Sequence, residues 1–311
     1  MKVSLQYVLD NTIYLARHGS HAHGLAIETS DLDIRGIFVA GPKFHIGYNK
    51  TEQFQDFEGD EVRYEIKKFV NLAAACNPSI LEILFVDPSD VLEVTKVGEI
   101  LLAERETFVT LKAKHTYTGY ANAQLKKIRA KYRWITNPPE EPPKQEDYYR
   151  EPRNEIEMKL LKKGSKIYDK EAYQKARLDW KNYQHWLTDR NPARKELEDK
   201  YGYDTKHAMH LFRLLRMGQE ICTTGKVNVK RPDREELLGI RRGALTYDEL
   251  VNWADTITRE IDELYEDYKS GRKEAPIPMN IQQEKLNPLV IRLLEEQWRM
   301  KGWLKGELVN A

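Results

Sequence analysis

The run GSHAHGLAIETSDLDIRG, from Gly19 to Gly36, constrains this chain more than any other. Just upstream, TIYLARHGS reads as a short strand running into a Gly-Ser turn. Downstream, SDLDIRGIFVA alternates and ends in an apolar run, which predicts a buried strand stopped by Gly41-Pro42. Asp31 and Asp33 stand at i and i+2, positions that leave a strand on the same face. Both carboxylates can therefore reach one metal ion. Magnesium takes few carboxylates and completes its shell with substrate phosphates, which suits a site finished by a nucleotide. In two-metal chemistry the ions sit about 3.5–4 Å apart and clamp the attacking and leaving oxygens of an in-line displacement. Glycine at 19 lets the chain turn sharply, and the turn offers backbone N–H groups and the Ser20 hydroxyl to phosphate. The competing reading is an acidic strand edge or an Asx-turn that binds nothing.

The rest of the first hundred residues mixes strand and helix signals. EVRYEIKKF offers a third strand, with Val62, Tyr64 and Ile66 on one side and Glu61, Arg63 and Glu65 on the other. Ile66, Phe69, Val70 and Ala73 then recur at helical spacing, and that helix ends at Asn77-Pro78, where asparagine caps SILEILFV. Strands followed by helices predict a small α/β or α+β domain, and with the helical remainder the chain is assigned to the α+β class. Beyond Asp90 the pattern is helical almost throughout. It is interrupted by NPPEEPPKQEDYYREP, a proline-rich loop or hinge near 137–152. A helix opening after Asp204 and stopped by Gly225 carries Lys206, His210, Arg213 and Met217 as one stripe. Ala208, Leu211, Phe212, Leu214 and Leu215 occupy its other side. Asp233 and Glu236 have the spacing of a capping box.

Bulk properties narrow the function. The formal net charge is +1, so any polyanion must be met by local patches such as KKIRAKYR, KLLKKGSK and the run Lys226 to Arg242. Cys76 and Cys222 lie in apolar helical patterns without any CxxC spacing, as expected of reduced, buried thiols in a cytoplasmic protein. The N-terminus reads as neither a leader nor a membrane span, so no membrane role is expected. His18, His21 and His23 crowd one turning segment with no fourth ligand, a poor zinc set but a good one for touching a triphosphate.

Gly-Ser, ten residues, then Ser-Asp-x-Asp resembles the signature of the DNA polymerase β nucleotidyltransferase superfamily. GSHAHGLAIETSDLDIRGIFV, YEIKKFVNLAAACNPSILEILFV and RNPARKELEDKYGYDTKHAMHLFRLLRMGQEI look like the nucleotidyltransferases called RNA-ligase-associated proteins. The resemblance implies a minimal polymerase-β-like catalytic domain over 1–110, a mixed sheet with helices. A mainly α-helical domain, 111–311, would follow and bind substrate and nucleotide. It implies transfer of a nucleoside monophosphate from an NTP such as ATP to an RNA end, with release of pyrophosphate. Magnesium (or manganese) would be the cofactor, and an RNA ligase the working partner. Gly19 and Ser20 would hold phosphates, and Asp31 and Asp33 would ligate metal. Glu65 is assigned as the third carboxylate, with Glu61 and Asp60 as alternatives; the superfamily more often has an aspartate there. The stripe of Lys206, His210 and Arg213 is expected to face the nucleotide. A protein or small-molecule acceptor, or a catalytically silent RNA-binding scaffold, are the rival readings. The NTP, the number of nucleotides added and the oligomeric state are left open.

Overall fold

The structure is a computed structural model describing residues 3–56, 59–160, 164–190 and 192–304. Residues 161–163 of the KLLKKGSK run lie outside the described residues. The chain begins with α1 (Leu5–Asp10), β1 (Thr12–Arg17), the single turn α2 (Gly19–Ala22) and β2 (Ile34–Phe38). Then come β3 (Gln53–Gln55), β4 (Glu61–Glu65), α3 (Ile66–Ala74), α4 (Pro78–Leu81), β5 (Val91–Val94) and α5 (Lys96–Ala103). The five strands form one sheet in the order β3-β4-β2-β1-β5. β2 and β4 run parallel, and the other neighbours are antiparallel. The central strands are the apolar ones, with Ile13, Tyr14 and Ala16 of β1 and Ile37 and Phe38 of β2 fully buried. As the helical spacing requires, Ile66, Phe69, Val70 and Ala73 of α3 are buried too.

The remainder is helical apart from one small ribbon. It comprises α6 (Ala113–Thr136), β6 (Tyr149–Arg150), α7 (Glu155–Leu160), β7 (Ile167–Tyr168), α8 (Lys170–Thr188) and α9 (Pro192–Tyr201). It continues with α10 (Thr205–Thr224), α11 (Arg234–Arg241), α12 (Tyr247–Lys269) and α13 (Gln283–Met300). The division at 110 separates classes of secondary structure. Contacts group the chain otherwise, with Met1–Leu125 and Ala208–Ala311 in one unit and Lys126–His207 in another. The first grouping follows from packing: α13 lies against α3 and α5. Trp298 Nε1 donates to the Ala40 carbonyl at 2.9 Å, and Leu111 N donates to the Pro278 carbonyl at 2.9 Å.

In the second unit a buried ionic cluster joins the elements. Lys131 Nζ lies 3.0 Å from Glu198 and 2.8 Å from Asp204, both almost fully buried. Arg190 reaches Glu198 at 2.7 Å, and His207 Nδ1 lies 2.6 Å from Asp204. Burial opposes ionisation of Asp204, but His207 and Lys131 outweigh it and hold its carboxyl well below the usual range. Asp204 also accepts from the His207 backbone N–H at 3.0 Å, so the expected N-cap of α10 forms. The expected capping box of α11 does not. Asp233 is its N-cap residue, but the carboxylate accepts from Arg231 and Arg216 instead. The capping box lies at α12, between Thr246 and Glu249.

Candidate active site

β1 ends at Arg17 and β2 begins at Ile34, and the two pair in register at that end, so the intervening residues close on themselves. His18 donates its backbone N–H to the Asp33 carbonyl at 2.9 Å, which extends the pairing by one step. Asp31 and Asp33 therefore lie just ahead of β2, rather than within it. Asp31 is exposed, whereas Asp33 is partly covered and accepts from Arg35 Nη2 at 3.1 Å. Gly19 adopts φ +61°, and a Cβ there would collide with the Asp33 carboxylate. Only glycine satisfies both demands. The Gly-Ser turn and the two aspartates are thus brought together at one end of the sheet. Ser20 sits beside Gly19 in α2, whose first-turn N–H groups have no partner within the helix.

Glu65 is elsewhere. The parallel register pairs Ile34 with Glu61 and Phe38 with Glu65, so Glu65 lies four residues further along, roughly 13 Å of strand. It is buried, caps α3 by accepting the Lys67 N–H at 2.8 Å, and lies 3.2 Å from His45 Nε2. The alternation placed Glu61, Arg63 and Glu65 on one face, and the register aligns them with Ile34, Gly36 and Phe38 of β2. Asp60 stands just ahead of β4, and the Ile34 N–H donates to its carbonyl at 2.8 Å, which brings it to the same end of the sheet as Asp33. Glu61 pairs with the buried Arg63 at 2.5 Å. Among the described residues no three His, Cys, Asp or Glu side chains converge to hold a metal ion.

The α10 stripe also divides. Lys206 and His210 are partly exposed, but Arg213 and Met217 are buried. Arg213 Nη1 lies 3.0 Å from Glu82 and 3.4 Å from Met217 Sδ. Arg213, expected to face the nucleotide, is held in the interior by Glu82. Glu82 is 1 % exposed, and it meets His23 Nε2 at 3.3 Å as well. His23 in turn lies 3.0 Å from the Val229 carbonyl through Nδ1, and its own carbonyl accepts from Arg231 N–H. This network fastens the end of α2 from behind. Sequence reasoning missed Glu82, although it is the one charge inside the apolar SILEILFV, a signal of a paired buried group.

The electrostatics follow from burial. It works against ionisation of Glu82, yet Arg213 and His23 outweigh it and hold the carboxyl down to about 2. Burial, reinforced by Arg213, lowers His23. Burial likewise pushes the His18 imidazole from its ordinary 6.5 down to about 4, although Glu82 pulls the other way. A histidine lowered on folding contributes stability above pH 6.5, and loses it as the unfolded chain takes up its proton first between 6.5 and about 4. Glu82 adds a loss in the same direction below its ordinary 4.5. Denaturant unfolding at pH 7 and pH 4.5 is expected to show a drop on the order of 2–3 kcal/mol, since one proton per pH unit is worth about 1.4 kcal/mol. His18→Leu should make that decline shallower. An acid-insensitive stability would contradict the buried neutral rings.

A Gly-Ser turn closed against an Asp-x-Asp at the head of the neighbouring antiparallel strand, on a mixed sheet followed by helices, defines the polymerase-β class of nucleotidyltransferase folds. Comparison with curated proteins and with solved structures gives no match. The profile of RlaP, described as the RNA repair pathway DNA polymerase beta family, matches residues 4–292. The chain belongs to that family. Among the described residues no helix is long and apolar enough to cross a membrane.

Proposed function

We propose that this chain transfers a nucleoside monophosphate from an NTP to an RNA end and releases pyrophosphate. The supporting observation is the apposition of Gly19 and Asp33, so close that a Cβ at 19 would strike the Asp33 carboxylate. The donors suit magnesium, because Asp31 and Asp33 offer carboxylate oxygens on an exposed and a partly exposed side chain. When bound, the ion supplies charge neutralisation on the phosphates and activates the attacking oxygen. The chain contributes positioning. Gly19 and Ser20 receive the phosphates, Arg35 steadies the Asp33 carboxylate, and Asp60, whose backbone carbonyl accepts the Ile34 N–H, is the candidate for a third carboxylate. In the reaction the acceptor hydroxyl forms a bond to the α-phosphorus, and the bond to the bridging oxygen of the β-phosphate breaks. Catalysis of this kind rests on in-line geometry and electrostatic stabilisation.

The second reading is a silent RNA-binding member of the family. One observation favours it: no third carboxylate converges with Asp31 and Asp33 among the described residues. α-Labelled NTPs incubated with magnesium and a panel of RNA, protein and small-molecule acceptors decide. Label on RNA supports the proposal, label on another acceptor redirects it, and absence of label from every acceptor favours the scaffold.

A further inference from the structure

The unit formed by Lys126–His207 holds a cavity of about 390 Å³, within the range of small-ligand pockets. It opens between the end of α6, the proline-rich loop and α8. Trp134, Trp180 and Tyr148 line it, with Arg133, Asp179 and Pro138. The rings are supported from behind. Tyr183 packs on Trp134 and on Trp180, each with centroids 5.9 Å apart, and Trp134 meets Trp186 at 5.4 Å. Tyr148 leans on Tyr173 at 5.4 Å.

This unit does not close over them. Its buried hydrophobic residues, among those described, are Ile128, Tyr183 and Tyr203, while Trp134, Trp180 and Tyr148 stay partly exposed around the cavity. Aromatic rings that stay partly exposed around a concavity suit a small-ligand site. Rings already held in place lose little freedom when a flat ligand stacks on them.

The polar groups narrow the ligand. Arg133 and Asp179 pair at 3.3 Å across the lining, and both side chains remain substantially exposed. Together they offer a planar donor and an acceptor, the complement of a nucleobase edge. Lys126 and Lys127 stand about two turns earlier on α6, and both are exposed. Arg177 and Lys181, also exposed, flank the lining residues of α8. Cations beside an aromatic cleft suit a phosphate backbone with unstacked bases.

We propose that this cavity takes an unpaired nucleobase of a single-stranded RNA whose backbone follows the cations of α6 and α8. For the RNA's role as acceptor the inference rests on nucleotidyl transfer, but the binding itself does not.

The full chain is titrated, without nucleotide, with a twelve-nucleotide single-stranded RNA and with the same sequence as a duplex, at two salt concentrations. Single strands should bind more tightly than the duplex and quench tryptophan emission. Trp180→Leu keeps apolar bulk and removes the stacking face, so it should weaken single-strand binding roughly 5- to 100-fold with an unchanged salt slope. Lys127→Gln should instead reduce the salt slope. Circular dichroism and a melt report folding, and if Trp180→Leu unfolds, Tyr148→Leu makes the same test. Wild-type affinity in the folded variants, or no RNA binding by the parent chain, overturns the proposal. RNA binding sensitive to these changes but unaccompanied by label transfer overturns the catalytic reading and leaves the cavity's assignment standing.

Discussion

Asp31→Asn together with Asp33→Asn is expected to abolish nucleotidyl transfer and leave the fold in place. Asp31 is exposed, and Asp33 loses only a partly exposed pair with Arg35. Such pairs contribute about 0–1 kcal/mol, so the melting profile should barely move. Asparagine matches aspartate in shape, so the close packing of residue 33 against Gly19 survives. What disappears is the anionic oxygen set that would hold the metal, whose charge stabilisation is worth several kcal/mol at the transition state. At about 1.36 kcal/mol per tenfold, the rate should fall by roughly a thousandfold or more. Asp60→Asn should produce a large loss in the same assay. Glu65→Gln should act on stability instead, by about 0.5–2 kcal/mol, because its carboxylate caps α3. Transfer at parental rate in the double variant would end the catalytic reading, and a larger rate loss from Glu65→Gln would restore that residue to the site.

Arg213→Ala is expected to destabilise the protein by about 3–5 kcal/mol, because it strands a buried carboxylate. Glu82 is 1 % exposed, and Arg213 is the cation 3.0 Å from it. A loss of that size is comparable with the whole stability of many domains, about 5–15 kcal/mol. Removing both charges with Arg213→Met and Glu82→Leu should recover most of it, since apolar side chains of similar volume replace a buried pair at little cost. Denaturant unfolding of the two single variants and the double variant measures the coupling. An Arg213→Ala protein as stable as its parent but weaker in NTP binding would return the residue to the triphosphate.

Local patterns decided what neighbouring residues can do for one another. The closeness of Gly19-Ser20 to Asp31-x-Asp33 was legible because the chain needs only a turn and a strand pair to bring them together. The glycine stop at Gly225, the Asp204 cap and the buried face of α3 were legible for the same reason. Alternation on β4 separated its two faces, yet it carried no information about register. Parallel pairing with β2 sets the level of each residue, and it put Glu61 opposite Ile34, next to Asp33, and Glu65 opposite Phe38 at the far end. The stripe on α10 was a correct reading of helical period, but period cannot tell which face meets the core. Arg213 turns inward because Glu82, 131 residues away in sequence, is buried there and needs a cation. Such pairings depend on which distant segments share an interior, and only the tertiary structure decides that.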